Sequence, residues 1–246
     1  MAFNPNLRNF FDSGFCQAFW PEDNETSRVQ AKQACLLLGA TEGHILDWRG
    51  GWGRHALPLA EMGFKVTLLD FCERYIETAK KTSAEAGLEL TAIHADSRNT
   101  PPDVQADFAI CMNNSVGFLE ESAEVEAFTS LRRALKPGAK LLVDCASLFA
   151  LAGLLKKGRE ESNAKGHVRR ARHDFDFLSN VNHSVFELVT RGGESNKQEF
   201  HQTLYTPHGL SRLLTAAGFT VDRVYGDLDA NPVSFDSPKI VMVAHT

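Results

Sequence analysis

The chain lacks an excess of positive charge. Its 26 lysine and arginine residues are outnumbered by 31 acidic residues, which leaves a formal net charge of −5 at neutral pH. Because binding to a nucleic-acid backbone depends on basic surface, this balance argues against nucleic acid as a partner. The sequence also lacks a basic-then-apolar leader and any run of about 20 apolar residues, the length that a membrane span needs. We therefore expect a cytoplasmic protein with no membrane association.

Cysteine is scarce and irregularly placed. The chain has five cysteines, and no two of them form a Cys-x-x-Cys pair. An odd, scattered set favours reduced thiols over a disulfide framework. No spacing typical of metal ligands stands out, so we expect no metal site. Internal repeats and low-complexity segments are also lacking, and 246 residues suit one large α/β domain or two small ones.

The stretch from His44 to Asp70 has the pattern of a strand, a glycine-rich turn, a helix and a second strand. Gly50, Gly51 and Gly53 cluster where a chain turns sharply or lets a ligand approach the backbone. The turn leads into a helix N-terminus, which presents backbone N–H groups to a ligand. An acid at the end of the next strand can bind a ribose diol. The stretch therefore predicts a nucleoside-containing ligand in a doubly wound α/β domain.

Strand and helix patterns alternate along most of the chain, and short turns between them imply a parallel sheet with helices on both faces. The pattern changes after Leu155, and period-2 alternation within 158–205 predicts two or three antiparallel strands inserted as a flap or sheet extension. We predict a doubly wound, Rossmann-like α/β fold with a seven-stranded, mostly parallel sheet and an antiparallel flap insertion. Beyond the central stretch, the predicted helices cover 26–38, 73–86, 122–135 and a segment from Pro207, and the predicted strands cover 88–93, 108–112, 140–144, 219–225 and 240–244.

We expect one domain over residues 1–246 with four parts. An N-terminal helical and aromatic cover takes residues 1–40, and a cofactor-binding core takes 41–157. The flap takes 158–205, and the last helix and strands take 206–246. The aromatic cover is either a helix packed on the main domain or a lid over a ligand, and both roles are compatible.

Two classes of nucleoside ligand fit the central stretch. Gly51-x-Gly53-x-x-Ala56 satisfies the loose dinucleotide-binding pattern, which is weak evidence alone. The second class is S-adenosylmethionine, whose ammonium and carboxylate groups occupy the place of a pyrophosphate. Asp47, at the end of the first strand, would repel a pyrophosphate but suits an α-ammonium group. The sequence therefore favours S-adenosylmethionine.

The chain resembles the class I S-adenosylmethionine-dependent methyltransferases, in particular their bacterial small-molecule members. Asp47 to Leu57 reads DWRGGWGRHAL, which is similar to the family's acid followed by G-x-G-x-G and G-R-H-A-L. The resemblance covers nearly the whole chain in the family's order. It continues through VTLLD at 66–70, ADSR at 95–98, NSVGF at 114–118, LKPG at 135–138, YTP at 205–207 and the tail from 225 to 244.

The resemblance implies a set of cofactor contacts. The acid and the backbone of the glycine turn are expected to hold the methionine end of the cofactor. The acid after the second strand is expected to bind the ribose hydroxyls, and residues after the second and third strands are expected to contact the adenine. Residues after the fourth strand line the pocket near the sulfonium. The implied cofactor-binding residues are Asp47, Arg49, Gly50, Gly51, Gly53, Asp70, Phe71, Asp96, Ser97, Met112 and Asn113.

The chain departs from the family pattern at Arg49, which stands where the family has its first glycine. If that position has a positive φ, a residue other than glycine costs on the order of 1 kcal/mol. The guanidinium can clash with the ligand, pair with its carboxylate or pair with Asp47. We therefore keep an alternative to a working methyltransferase, namely a non-catalytic or regulatory protein or an enzyme with different chemistry on the same fold.

Methyl transfer needs positioning more than a fixed set of catalytic groups, so the resemblance names no base. His173, His201 and Tyr205 are the candidate bases. The segment after the fourth strand, CMNNS, lacks the N-P-P-Y-like run of methyltransferases that act on nucleic-acid bases, which favours a small-molecule acceptor. A homodimer stays open. The predicted acceptor pocket lies between the N-terminal aromatics and the flap, and its candidate residues are Phe15, Phe19, Trp20 and Asn114.

Overall fold

We describe the computed structural model of the chain at residues 4, 6–19, 24–155, 159–163 and 165–246. Its strands are β1 His44–Trp48, β2 Lys65–Asp70, β3 Thr91–His94, β4 Ala106–Cys111, β5 Leu135–Ala146, β6 Arg159–Ser162, β7 Val168–Asp176, β8 Val181–Val189, β9 Ser195–Thr203, β10 Thr220–Tyr225 and β11 Lys239–His245. Its helices are α1 Leu7–Asp12, α2 Phe15–Phe19, α3 Asn24–Leu38, α4 Ala56–Glu61, α5 Glu73–Glu85, α6 Glu121–Arg133, α7 Leu148–Leu155 and α8 Pro207–Ala216. Short 3-10 helices lie at Ser97–Asn99 and Pro102–Val104.

Within the described residues, the larger sheet has seven strands in the order β10-β11-β5-β4-β1-β2-β3. The neighbouring pairs from β5 to β3 are parallel, whereas β11 runs antiparallel to both β5 and β10. Every residue of β1 is buried, as expected for a central parallel strand covered on both faces. The predicted mostly parallel, doubly wound fold is confirmed.

Side chains alternate along the central strands between two buried layers. Leu46 and Trp48 of β1 face the layer that contains α6 and α8. Ile45 of β1 faces the opposite layer, which contains α3, α4 and α5. This alternation follows from the two-residue repeat of a strand, and it holds the carboxyl ends of the parallel strands together at one edge.

Some helix and strand boundaries in the structure differ from those predicted from the sequence. Helix α6 ends at Arg133, and the chain enters β5 at Leu135, where the prediction still had helix. Pro137 and Gly138 therefore lie inside the strand, and a register irregularity in the pairing of β4 with β5 accommodates them. Proline has no backbone N–H to donate, so a sheet tolerates it where such an irregularity interrupts the hydrogen bonding between strands.

The flap is a four-stranded antiparallel sheet in the order β6-β7-β8-β9, so the prediction of two or three strands was one too few. The additional strand is β6, a short charged segment without apolar alternation. Ion pairs join it to β7, between Glu160 and Arg170 and between Glu161 and Arg169. The flap's buried face packs on the N-terminal helices through Phe10 and other aromatic residues.

In the described part of the chain, no helix combines the length and apolar character required to cross a bilayer. The same residues contain no group of three His, Cys, Asp or Glu side chains that could hold a metal ion. The five cysteines are all buried and free.

Candidate cofactor and acceptor site

A cavity of about 750 Å³ lies where the carboxyl ends of β1, β2, β4 and β5 meet the inner face of the flap. This is the edge at which open α/β sheets bind ligands, and the volume suits a small organic molecule. The cavity brings together most of the predicted site. Its lining includes Asp47, Arg49, Gly50, Gly51, Asp70, Phe71, Asp96, Ser97, Met112, Asn113, Asn114 and His173.

The glycine turn after β1 is shaped by close packing. A Cβ atom on Gly50 would lie 2.4 Å from Leu68 Cδ1 and 2.5 Å from Asp47 Cγ, so only glycine fits there. Gly51 has a φ of +60° and Gly53 a φ of +88°, conformations that glycine adopts without strain. Gly53 does not line the cavity; its carbonyl accepts from the Leu57 N–H as the chain enters α4.

Asp47 is a fully buried carboxylate at the end of β1. No side chain among the described residues donates to its oxygens, and the Ala56 backbone N–H at the start of α4 opposes the rise in its pKa. Burial raises the pKa of Asp47 to about 7, and the nearby Asp70 carboxylate adds to the shift. A buried charge without a partner is unfavourable, so this carboxylate fits a ligand that brings a cationic group.

Asp70 ends β2 and is also buried. One oxygen accepts from the Gly51 N–H and the other from the Cys72 N–H, both at 2.9 Å. Burial raises the pKa of Asp70 to about 6, although these hydrogen bonds oppose the shift. Each carboxylate oxygen can accept a second hydrogen bond, so the group is oriented and still able to receive two hydroxyls.

Asp96, beyond the end of β3, has a local structural role. Its carboxylate accepts from the Arg98 N–H at the start of a 3-10 helix and pairs with the Arg98 guanidinium at 2.6 Å. These contacts hold the pKa of Asp96 below its usual value. The nearby Phe71 carbonyl oxygen lies 3.0 Å from His94 Nε2. The predicted contacts of Phe71, Asp96 and Ser97 with adenine stay predictions.

Comparison with known proteins agrees with this geometry. A family model described as a methyltransferase domain matches residues 45–138. YqeM of Bacillus subtilis (strain 168), which carries a provisional methyltransferase name, is 26% identical over 208 residues, covering 82% of this chain and 84% of that protein. An S-adenosylmethionine-dependent methyltransferase structure from Clostridium acetobutylicum ATCC 824 matches with a TM-score of 0.80 at 15% identity, covering 98% of this chain and 99% of that one. The CcbJ methyltransferase from Streptomyces caelestis matches with a TM-score of 0.79 at 17% identity over 94% of each chain.

Residues 45–138 therefore match a methyltransferase domain, and the chain shares the fold of S-adenosylmethionine-dependent methyltransferases. The cofactor of this methyltransferase family is S-adenosylmethionine. The site fits it, because Asp47, which has no cationic partner among the described residues, and the oriented Asp70 place two carboxylates in a cavity of suitable size. A dinucleotide fits less well, since its pyrophosphate would meet the Asp47 carboxylate.

Arg49, which stands where the family pattern has its first glycine, is held by a buried ion pair. Arg49 has a φ of +59°, so the motif's left-handed conformation is kept without its glycine. Arg49 Nη1 lies 2.9 Å from Glu124 Oε2 and donates to the Ser115 carbonyl oxygen at 2.9 Å. The guanidinium carbon lies 4.3 Å from the Trp48 ring centroid. The side chain therefore pairs with Glu124 of α6 and not with Asp47, which was one of the three expected alternatives.

The loop after β4 is fixed by the flap. Asn113 and Asn114 adopt left-handed φ values of 57° and 61°, which asparagine tolerates better than most residues. Asn114 Oδ1 accepts from the Ala146 N–H, and its amide donates to Gln202 Oε1. Gln202 in turn donates to the Val116 carbonyl oxygen. These bonds hold the loop residues Met112 to Asn114 open toward the cavity.

The three candidate bases occupy different environments. His173 of β7 lines the cavity, and burial lowers its pKa. His201 lies between two cavity-lining residues of β9, and its ring faces His183 at 4.7 Å on the other side of the flap. Tyr205 is buried away from the cavity lining, and burial raises its pKa far above its usual value. The structure brings only His173 to the cavity.

The predicted acceptor residues are also divided. Asn114 lines the cavity, whereas Phe15 is buried in the aromatic cluster between the N-terminal helices and the flap. The Phe19 side chain and Trp20 lie outside the described residues.

Several cavity residues were not found from the sequence. The buried Asp144 carboxylate of β5 pairs with the partly exposed Lys239 ammonium at the start of β11. The position of Asp144 at the end of a predicted strand was a usable signal. Asn182 and Ser184 also line the cavity, but only the register of the flap, which the sequence does not specify, reveals that they do.

Proposed function

We propose that this protein transfers a methyl group from S-adenosylmethionine to a small-molecule acceptor bound beneath the flap. The observation that carries the proposal is the buried Asp47 carboxylate, which has no cationic partner among the described residues and lines the cavity at the glycine turn. In water-excluded surroundings such a carboxylate needs a cationic partner. The cofactor's α-ammonium group meets that requirement.

The residues around the turn would hold the cofactor. Asp47 would accept from its ammonium group, and the Gly51 backbone could approach it closely because no side chain intervenes. Asp70, held by the Gly51 and Cys72 N–H groups, would accept from the ribose hydroxyls. When bound, the cofactor supplies an electrophilic methyl group on a sulfonium. Met112 and Asn113 line the cavity, and they would surround that group and exclude water.

Catalysis by this chain would depend on positioning. The flap and the loop after β4 are joined by hydrogen bonds of Gln202, so they form one wall around the acceptor. A rigid wall that holds the acceptor near the methyl group lowers the entropic part of the barrier. His55, also at the cavity, remains neutral because burial lowers its pKa to about 3, and its Nε2 contacts Gln30.

Several proteins of this fold act on small molecules according to their names. CalS10 from Micromonospora echinaspora, described as an amino pentose methyltransferase and solved with S-adenosylmethionine bound, matches with a TM-score of 0.66 at 17% identity over 96% of each chain. This likeness supports a small-molecule acceptor here, as do the net negative charge and the size of the cavity.

Calorimetric titration with S-adenosylmethionine and S-adenosylhomocysteine tests cofactor binding. We expect saturable heat with both, and at least a tenfold weaker affinity in Asp47→Ala than in the matched surface variant Asp103→Ala. Turnover is then measured with methyl-labelled cofactor over a panel of small amines, alcohols and thiols. Absence of heat at millimolar ligand would refute the proposal. Binding without transfer to any acceptor would favour the non-catalytic alternative.

A further inference from the structure

The inner face of the flap carries a polar group of three side chains, His173, Asn182 and Ser184. His173 of β7 is directly opposite Ser184 of β8, and Asn182 is two residues earlier on β8, on the same face. Asn182 and Ser184 are buried, with 4% and 1% of their surface exposed. All three residues line the cavity.

Their hydrogen bonds fix the direction in which each group donates. Asn182 Nδ2 donates to Ser184 Oγ at 2.8 Å and also lies 3.3 Å from His173 Nδ1. Since an amide NH₂ can only donate, Nδ1 is the acceptor in this contact. Ser184 Oγ lies 3.1 Å from the same Nδ1, so its hydroxyl proton is free to point there. The neutral imidazole therefore carries its proton on Nε2.

Two polar atoms of the group have no partner among the residues that the structure describes. Asn182 Oδ1 is buried and accepts no hydrogen bond from the described residues. His173 Nε2 likewise has no partner in the described part of the chain. The group therefore offers the cavity one acceptor and one donor. A buried acceptor that stays unsatisfied is unfavourable, so a ligand with a matching donor is favoured.

Aromatic rings adjoin this polar group. Phe186 stands edge-on to the His173 ring with centroids 6.0 Å apart, and Phe200 packs against Phe186 at 5.2 Å. Phe10 of α1 closes the same side, 4.7 Å from Phe200. The Arg169 guanidinium, which pairs with Glu161, lies 5.1 Å from the Phe186 centroid and also lines the cavity. The cavity thus has an aromatic surface, bordered by this paired cation, next to a donor–acceptor pair, which suits a ring compound with an apolar face and a polar edge.

We propose that His173, Asn182 and Ser184 form the acceptor-recognition site, and that they select a neutral ring molecule carrying vicinal hydroxyl or amino groups. One substituent donates to Asn182 Oδ1, the other accepts from His173 Nε2–H, and the apolar face lies on Phe186 and Phe200. In this assignment His173 is a specificity-determining residue and not a general base. The assignment rests on the proposed function, because it names the acceptor class for that reaction.

The test uses two ring probes, trans-cyclohexane-1,2-diol and its dimethyl ether, which differ in their ability to donate. Binding is followed by ligand-observed NMR with and without saturating S-adenosylhomocysteine. We expect the diol to bind, and Asn182→Leu to weaken it roughly three- to tenfold, as expected for one lost hydrogen bond. Binding of the ether should be weaker and unaffected by the variant. Asp174→Asn, an exposed neighbour of His173, is the matched control.

Proton location is measured independently of any ligand. In nitrogen-15-labelled protein, long-range proton–nitrogen correlation should show His173 with an unprotonated Nδ1 and a protonated Nε2, and Ser184→Ala should disturb this pattern. The inference is overturned if Nδ1 carries the proton, if neither probe binds, or if diol and ether bind equally in wild type and Asn182→Leu. Failure of S-adenosylhomocysteine to bind would instead refute the proposed function, while diol binding and the tautomer still report on this site.

Discussion

Replacing Arg49 with glycine restores the family's motif, yet we expect it to destabilise this protein. The reason is Glu124, whose side chain is fully buried and which faces the Arg49 guanidinium. Glu124 Oε1 also accepts from the Gly117 N–H at 2.8 Å. Without Arg49 the carboxylate keeps such backbone donors but loses its only cation among the described residues.

The magnitude follows from three contributions. Removing one partner of a buried ion pair costs about 3–5 kcal/mol. Loss of the stacking on Trp48, at 4.3 Å, adds about 1 kcal/mol. Glycine at a φ of +59° recovers about 1–2 kcal/mol of backbone strain. The remaining backbone hydrogen bonds to Glu124 reduce the loss further, so we expect Arg49→Gly to lower the free energy of unfolding by about 2–4 kcal/mol.

Urea denaturation of a double-mutant cycle measures this coupling. Arg49→Gly and Glu124→Gln should each destabilise, while the double variant should be at least about 2 kcal/mol more stable than the sum predicts, because no buried charge is left unpaired. Lys81→Gln, in an exposed pair with Glu85, should cause no measurable loss. Additive effects within about 0.5 kcal/mol would show that the ion pair does not compensate for the missing glycine.

Three further perturbations test other parts of the site. Raising the pH from about 5 to 8 should lower the thermal midpoint of the ligand-free protein, because burial raises the pKa of Asp47 from 3.8 to about 7 and that of Asp70 to about 6, so the folded state binds more protons in this window. In Asp47→Asn the dependence should become smaller and should end near pH 6, where Asp70 titrates. Gly50→Ala should weaken cofactor affinity more than tenfold by calorimetry and cost about 1–3 kcal/mol of stability by denaturation, since its Cβ would lie 2.4 Å from Leu68 Cδ1. Thr206→Ala should cost about 1 kcal/mol in the same assay, since the Thr206 hydroxyl caps α8 by accepting from the Gly209 N–H.

The layered core was predictable because its signals are local and repeated. The glycine turn, the apolar run of β4 and the Thr206-Pro207 helix start each report on a few neighbouring residues. The flap was harder, because which side chains face the cavity depends on the register among four strands. A shift of one residue would exchange His173 with its exposed neighbours, and no sequence pattern specifies that register.

The cofactor side of the site was predictable for a related reason. Asp47 and Asp70 lie at the ends of neighbouring parallel strands, so chain order alone brings them to one edge of the sheet. The acceptor side has no such rule, since His173 and Asn182 meet only through antiparallel pairing in an insertion. His201 illustrates the difference: its residue type suggested a base, but strand alternation directs it away from the cavity.

Arg49 shows why a motif is better understood as a set of physical requirements than as a set of letters. The position requires a left-handed backbone, and glycine is the residue that meets this requirement without strain. Here an arginine meets it, because Glu124, the Ser115 carbonyl and the Trp48 ring hold its side chain. The substitution and its buried acid are 75 residues apart, so only the fold reveals the compensation. The cofactor turn and the loop after β4 are thereby joined through one ion pair, which family members with glycine at this position lack.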